Sequence, residues 1–414
     1  MRFIFCIIGV LLYSGLSAQQ MSVLSTDSTY NIVRELQEVV VTAEKRELNP
    51  GDIPTALTVI TPRSIPGENN PDLRNISGIV PNFYMQEGGL KLSTPLYIRG
   101  IGTVSGTPPV GLYVDGVPVF DKNAFVFDLY DIRQIEVLRG PQTTLYGRNS
   151  INGLININTN PPSNVFAAQV KIGYSSYRSQ NYNLVLNLPW KRLYNKLSFS
   201  YNKSEGYFKN HYEQDRKSNP SDSYNIRYQG NVFTGNNWEI GFGINFNHSF
   251  DGGYAYAAID SLKVHRYTVN YNIPSSYKRD LLSSYLNLKK KWQRLAFNTV
   301  TSYSRTQDRQ MLDADFTYLD VFDNGKKSRQ NLLTQEFNIQ SNENRHVDWT
   351  VGAFGFYKDL TNRYLATFGK DKAYLLPMAL DNAKYHNNTV TWGIAGYGQV
   401  TLKEIWPGMS LTAG

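Results

Sequence analysis

The sequence predicts a mainly β protein: a small α+β domain followed by an antiparallel β-barrel that crosses a membrane with strands. Three observations predict it. The 414 residues include 29 Tyr and 32 Gly, with only 18% charged residues. From about residue 165, apolar and polar residues alternate with period two. The connections between these alternating segments are in turn short and long. Tyr, Gly and Asn favour strands and turns over helices. Beyond the N-terminus no run is apolar for long enough to form a transmembrane helix. The 13% aromatic content excludes a largely disordered chain.

Residues 1–18 open with Arg2, continue as an apolar run and end in Leu16-Ser17-Ala18. This is the pattern of a secretory signal peptide. The only cysteine, Cys6, lies inside it, so the exported chain is expected to have neither disulfide nor thiol chemistry. The net charge of +8 is spread along the chain. No Lys/Arg block of the kind that grips nucleic acid occurs, which leaves an anionic membrane surface as the setting.

Residues 19–49 form a polar tail around one apolar stretch, Leu36 to Arg46. Val39-Val40-Val41-Thr42 are four β-branched residues in a row, which favours an extended strand. Two readings fit: a peptide offered to a partner's sheet edge, or the first strand of the following domain. Residues 50–162 form the compact α+β domain. Ala56 to Ile60 is a short apolar run, and Asp72 to Ser77 starts a short helix. Leu112-Tyr113-Val114-Asp115-Gly116-Val117 reads as strand, turn, strand with Asp-Gly at the turn. Ile132 to Leu138 suits a buried strand.

Residues 163–414 carry the barrel pattern. Trp238, Ile240, Phe242, Ile244 and Phe246 fall on one face, with Glu239, Gly241, Gly243 and Asn245 on the other. Tyr182 to Trp190, Leu197 to Tyr201 and Val390 to Ile394 repeat it. Tight connections are expected near residues 190–192, 235–237 and 289–291. Long polar ones are expected near 205–222, 250–278, 306–329 and 359–388. A soluble sandwich has no need of this asymmetry. An outer-membrane barrel has short turns at one rim, long loops at the other and a polar lumen. About ten strands and the start of another are expected, and the pattern stops in mid-course at Gly414. This reads as the N-terminal part of a barrel of about 22 strands.

Several motifs carry a family resemblance. Val39-Val40-Val41-Thr42-Ala43 resembles a TonB box. Pro95 to Gly102, Val110 to Pro118 and Ile132-Arg133-Gln134-Ile135-Glu136-Val137-Leu138-Arg139-Gly140-Pro141-Gln142 resemble the plug of TonB-dependent outer-membrane receptors. Thr144 to Asn149 and Gly153 to Ile157 continue the match, and weaker echoes occur at Thr334 to Phe337, Trp349 to Tyr357 and Tyr397 to Val400. The resemblance implies a receptor in the outer membrane of a Gram-negative bacterium. Such a receptor binds a scarce ligand, commonly a ferric siderophore, at its outer face. TonB, with its inner-membrane energising complex, then pulls on the plug. Cobalamin, haem or oligosaccharide import is the alternative, and a non-transport surface-binding protein a further one. Lipopolysaccharide, outer-membrane lipid and the barrel assembly machinery are implied partners. A transported iron chelate is the only cofactor-like group implied.

The resemblance also implies site residues. Glu38, Val39, Val40, Val41, Thr42 and Ala43 would bind TonB by strand addition. Arg99, Glu136 and Arg139 would form a plug latch, the arginines pairing with barrel glutamates, of which Glu336 is one candidate. Two stretches, 103–109 and 120–127, are candidates for the plug apex. Thr103, Ser105, Phe120, Asn123 and Phe125 are the ligand-contact candidates there; the aromatic ones fit packing under the barrel wall equally well. No enzyme signal is present. Gly140-Pro141 and Gly147 lack the Gly-Lys-Ser/Thr of a phosphate loop. The five histidines lack metal-ligand spacing, and no Ser stands in a nucleophile elbow.

Overall fold

The computed structural model describes residues 40–42, 45–46, 48–53, 55–65, 71–86, 88–89, 94–103, 108–125, 128–214, 216–253, 256, 268–342, 346–374 and 381–414. The expected signal peptide and most of the tail lie outside these. The plug region is built from β1 (Ala56–Ile60), β2 (Phe83–Met85), β3 (Leu96–Ile98), β4 (Ile101–Thr103), β5 (Val110–Val114), β6 (Val117–Val119), β7 (Ile132–Arg139) and β8 (Gly153–Thr159). The main sheet has the order β1-β7-β8-β5-β6, with β5 and β8 parallel; β2-β3-β4 form a separate meander. Strand β7, between β1 and β8, is buried at Ile132 and from Gln134 to Leu138, with Arg133 exposed and Arg139 half-buried. Ile135, Val137, Ile155 and Ile157 pack with Leu73, Ile76, Leu112 and Phe125 in one aliphatic core.

The local signals explain the connections. Asp115 and Gly116 both have positive φ, 51° and 80°, so Asp-Gly closes the β5–β6 hairpin as the paired left-handed residues of a tight turn require. The helical turn Leu73–Gly78 starts at a reciprocal cap. The Asp72 carboxylate accepts from the Arg74 backbone N–H, and the Asn75 side chain accepts from the Asp72 N–H.

The wall is one antiparallel sheet of eleven strands. Its members are β9 (Ala167–Ser175), β10 (Ser179–Trp190) and β11 (Leu193–Ser204). After the short β12 (Lys209–Asn210) and β13 (Arg216–Lys217) come β14 (Ser221–Phe233) and β15 (Trp238–Gly252). After the short β16 (Thr268–Val269) come β17 (Ser276–Lys291), β18 (Leu295–Asp313), β19 (Phe322–Ser341), β20 (Val347–Phe368), β21 (Ala383–Trp406) and β22 (Met409–Ala413). β12, β13 and β16 pair with each other in a small sheet of their own.

Alternation sorts the two faces of the wall. Ile172, Trp392 and Ile394 are 70%, 70% and 81% exposed on the outward face. Ser198, Ser200, Asn225, Thr334 and Asn338 are buried on the inward face against the plug. The connections 191–192, 234–237, 292–294 and 407–408 are tight and share one rim, called here the short-turn rim. At the opposite rim the strands run further than the sequence suggests. β18 continues to Asp313 and β19 begins at Phe322, so most of the stretch expected as a long loop at 306–329 is paired hairpin. Arg305 to Gln310 and Lys326 to Gln330 are polar on both faces and so read as loop. Main-chain pairing needs no apolar face where both sides meet water.

Candidate functional site

At the short-turn rim the expected box segment lies against the plug. Val40, Val41 and Thr42 are described; Glu38, Val39 and Ala43 lie outside the described residues. Val41 is fully buried and exchanges two main-chain bonds of 2.9 Å with Leu48. The Val40 carbonyl accepts from Gln134 Nε2 at 2.8 Å. Thr42 is held by the buried carboxylate of Glu136, which accepts from its backbone N–H at 3.0 Å and its hydroxyl at 3.2 Å. Gln134, Asn156 and Asn158 donate to the same carboxylate at 2.6, 3.0 and 2.8 Å. Glu136 is 0% exposed, so these charge-assisted bonds replace its lost hydration.

Lys45 and Arg46 follow and reach the wall. Lys45 forms an ion pair with Glu336 of β19, whose carboxylate also accepts from the Tyr397 hydroxyl at 2.6 Å. The Lys45 ammonium sits 4.5 Å from the Tyr146 ring centre and 5.3 Å from that of Tyr397, positions that favour a cation. Burial pulls the Lys45 pKa down from its ordinary value, and Glu336 pushes it back up. Burial drives the hydroxyl pKa of Tyr113 and Tyr146 upward, and the Glu336 charge adds to it. Arg46 pairs with Asp348 of β20 at 3.0 Å and donates to the Ser341 carbonyl at 2.7 Å.

Elsewhere the polarity reverses: plug acids meet wall donors. Asp121 pairs with Arg279 of β17 at 2.9 Å, and Asp308 of β18 binds the same guanidinium through Nε at 2.7 Å. Asp131 pairs with Lys196 of β11 at 2.7 Å and accepts from Ser198 at the same distance. Asp128 accepts from Asn202 at 3.0 Å, and Tyr130 donates to Asn225 at 2.7 Å. Burial pushes the Tyr130 pKa up to about 12, against the nearby Arg227 charge.

At the far rim a cavity of about 700 Å³ opens between the plug and strands β9 to β15. Asp72, Arg74 and Gly89 form its plug side. The Tyr256 hydroxyl donates to the Gly88 carbonyl at 2.8 Å. Its ring lies over Gly89, where a Cβ would stand 2.8 Å from a ring carbon and φ is +83°; glycine is required on both counts.

Residues 49–154 match the family described as the TonB-dependent Receptor Plug Domain. These residues form a TonB-dependent receptor plug domain. The pesticin receptor of Yersinia pestis is 36% identical over 107 residues, 25% of this chain and 16% of that protein. Among solved structures, the ferric yersiniabactin uptake receptor FyuA from Yersinia pestis superposes with a TM-score of 0.69 at 18% identity. That match covers 84% of this chain and 62% of FyuA. The ferripyoverdine receptor of Pseudomonas aeruginosa gives 0.71 at 13% identity, over 88% of this chain and 52% of that one. The chain therefore spans between half and two thirds of these structures, and their likeness extends the TonB-dependent receptor fold from the plug to the wall.

Against that fold the expected site residues sort as follows. Glu136 holds the box segment to the plug, as described. Neither Arg99 nor Arg139 meets a barrel glutamate among the described residues. Arg99 is exposed, at φ +54° beside Gly140. Arg139 closes β7 next to the start of β2, where its Nη1 reaches the Pro81 carbonyl at 3.2 Å. Glu336 does face the plug, but its partner is Lys45. Lys45 and Arg46 carry no sequence signal beyond a basic pair after the Val-rich stretch. Of the ligand-contact candidates, Ser105 lies outside the described residues. Phe125 is corrected: at 1% exposure it belongs to the aliphatic core. Phe120 packs edge-on against Phe356 of β20 at 5.3 Å, with Arg148 over both rings. Asn123 approaches Tyr277 at 3.5 Å. Thr103 ends β4, half-buried. None of these four lines the far-rim cavity.

Proposed function

We propose that this chain is part of an outer-membrane receptor that imports a ferric siderophore, energised by TonB acting on residues 36–43. It is a receptor and not an enzyme. One arrangement carries the reading: an extended Val-rich segment lies on one rim of the plug, and a polar cavity opens at the other. The plug core joins the two, so a pull on the segment acts on the floor of the cavity. The exposed apolar face of the wall suits lipid and lipopolysaccharide. Pairing TonB with the extended segment would use main-chain bonds and so tolerate many side chains.

The test is labelled-iron uptake under iron starvation, comparing the intact receptor with Val40→Pro. Proline removes the Val40 N–H and cannot continue a ladder. Uptake is expected to fall at least about tenfold while surface binding of the chelate persists, since strand addition alone is lost. Uptake that survives Val40→Pro and deletion of residues 36–43 would sink the TonB reading. Iron uptake indifferent to the gene would sink the siderophore reading and turn the tests to cobalamin and oligosaccharides.

A further inference from the structure

We propose that the outward face of β17 to β20, just beyond the apolar band at the far rim, binds the phosphate groups of lipopolysaccharide in the outer leaflet. This goes beyond the siderophore reading and rests only on the placement of the wall in an outer membrane.

Strand alternation and register identify the surface. On β20 the outward positions share a face with Val351 and Tyr357, 54% and 49% exposed. From Val347 they continue as Trp349, Val351, Ala353, Gly355 and Tyr357, without a charge. This stretch of strand, at about 3.3 Å per residue and tilted about 45°, rises roughly 23 Å, the height of the apolar band of a barrel. The far-rim edge of the band is a cross-strand row of Tyr303, Leu333, Tyr357 and Trp392, all exposed. Aromatic rings at such an edge mark the boundary of the hydrocarbon.

About 20 Å further along the strands, roughly 14 Å in height, the same face carries a second row. Lys278 of β17 is the register partner of Arg309 of β18, Arg309 of Lys327 of β19, and Lys327 of Arg363 of β20. All four are exposed. Neighbouring strands thus place these cations within a width of about 14 Å. Arg329, also exposed, stands at the next outward position toward the band on β19, and Arg305 stands closer still on β18.

Like charges directly opposite one another destabilise a sheet, so by itself the row gains nothing for the fold. Among the described residues none of these cations forms an ion pair. The nearby outward carboxylates are engaged within the wall. Asp280 pairs with His248 at 2.6 Å, and Asp359 accepts from Asn331 at 3.3 Å. Toward the rim, Asp323 stands about 13 Å along the strand from Lys327.

Lipopolysaccharide carries phosphates on the sugars just outside its acyl chains, and divalent cations bridge those of neighbouring molecules. A protein wall interrupts that lattice. A fixed row of cations at the height of the head groups takes the place of the missing ions. Guanidinium groups grip phosphate oxygens in pairs, and the lysines add point charges. The acyl chains would then lie along the apolar band.

The experiment uses the purified full-length receptor, delipidated in detergent. It is titrated with rough lipopolysaccharide, with the same glycolipid after enzymatic removal of its phosphates, and with inorganic phosphate, each read by thermal unfolding. The intact glycolipid is expected to raise the unfolding temperature and to bind at least about tenfold more tightly than the dephosphorylated one. The combined variant Lys278→Gln, Arg309→Gln, Lys327→Gln, Arg363→Gln, checked for a folded barrel by heat-modifiable mobility, is expected to lose at least about tenfold in affinity. Without glycolipid it should unfold at the same temperature as the parent or higher, because the opposed charges are gone. A lower temperature would assign the row a structural role and overturn the inference. Equal binding of intact and dephosphorylated glycolipid, a comparison that needs no variant, would overturn it and leave the siderophore reading standing. So would inorganic phosphate that stabilises the receptor as much as lipopolysaccharide does, since the site would then serve free anions. Full-length receptor recovered in the soluble fraction of cells would overturn the outer-membrane reading and this inference together.

Discussion

The plug meets its wall in two zones of opposite polarity. At the short-turn rim the plug-side groups are cations, Lys45 and Arg46, and the wall supplies Glu336 and Asp348. Against β11 and β17 the plug supplies Asp121, Asp128 and Asp131, and the wall answers with Arg279, Asn202 and Lys196. The chain positions differ as well. The cations sit on a segment that leads into the aliphatic core, joined to it through Thr42, Glu136 and the Val41–Leu48 bridge. The aspartates lie on a stretch anchored by that core, between β6 and β7. One zone can therefore open by peeling a few residues, whereas the other opens only if the plug itself shifts.

The sharpest way to break this comparison is Arg279→Ala. It leaves Asp121 and Asp308 facing each other without their shared cation, and removing one member of a buried pair costs about 3–5 kcal/mol. Urea unfolding of the extracted receptor should show a loss of that size; a loss below about 1 kcal/mol would mean water already serves these carboxylates. Next is Glu136→Gln, which keeps the shape and removes the charge that five donors share. A loss of about 1.5–3 kcal/mol is expected, confined to residues 40–48. Limited proteolysis should cut there while the wall stays intact. The smallest effect is a double-mutant cycle of Lys45→Ala and Glu336→Ala, read by amide exchange at Val41 and Leu48. A coupling energy of about 1 kcal/mol is expected. Zero coupling would leave the basic pair as bystanders and erase the distinction between the two zones.

Much of the fold was legible in the sequence. Period-two alternation fixes each wall strand because a half-exposed strand must sort its faces. Asp115-Gly116 marks a hairpin because both residues tolerate positive φ. The long β18–β19 and β20–β21 hairpins were less legible: beyond the apolar band both faces are polar, and polarity alone does not distinguish a paired strand from a loop. The site was harder still. The partners of Lys45 and Arg46 lie on β19 and β20, far along the chain, and no spacing rule connects them. Phe125 carried the same composition signal as Phe120, yet one entered the core and the other met the wall. The cavity is lined largely by Ser and Asn, residues that form no motif and gain meaning only when five strand ends and the plug converge.

The strand order of the wall has a kinetic consequence. From β9 to β22 every large strand pairs with its nearest large neighbours in the chain. Such a sheet can grow by accretion, each hairpin templated on the edge left by the last, with little entropy lost per closure. The plug cannot. Its β1 must wait for β7, pairing Ala56 with Arg139, and its β5 must find β8 in parallel. The same chain thus contains one body that assembles strand by strand and another that condenses all at once, and any machinery that inserts the first must leave room for the second to finish.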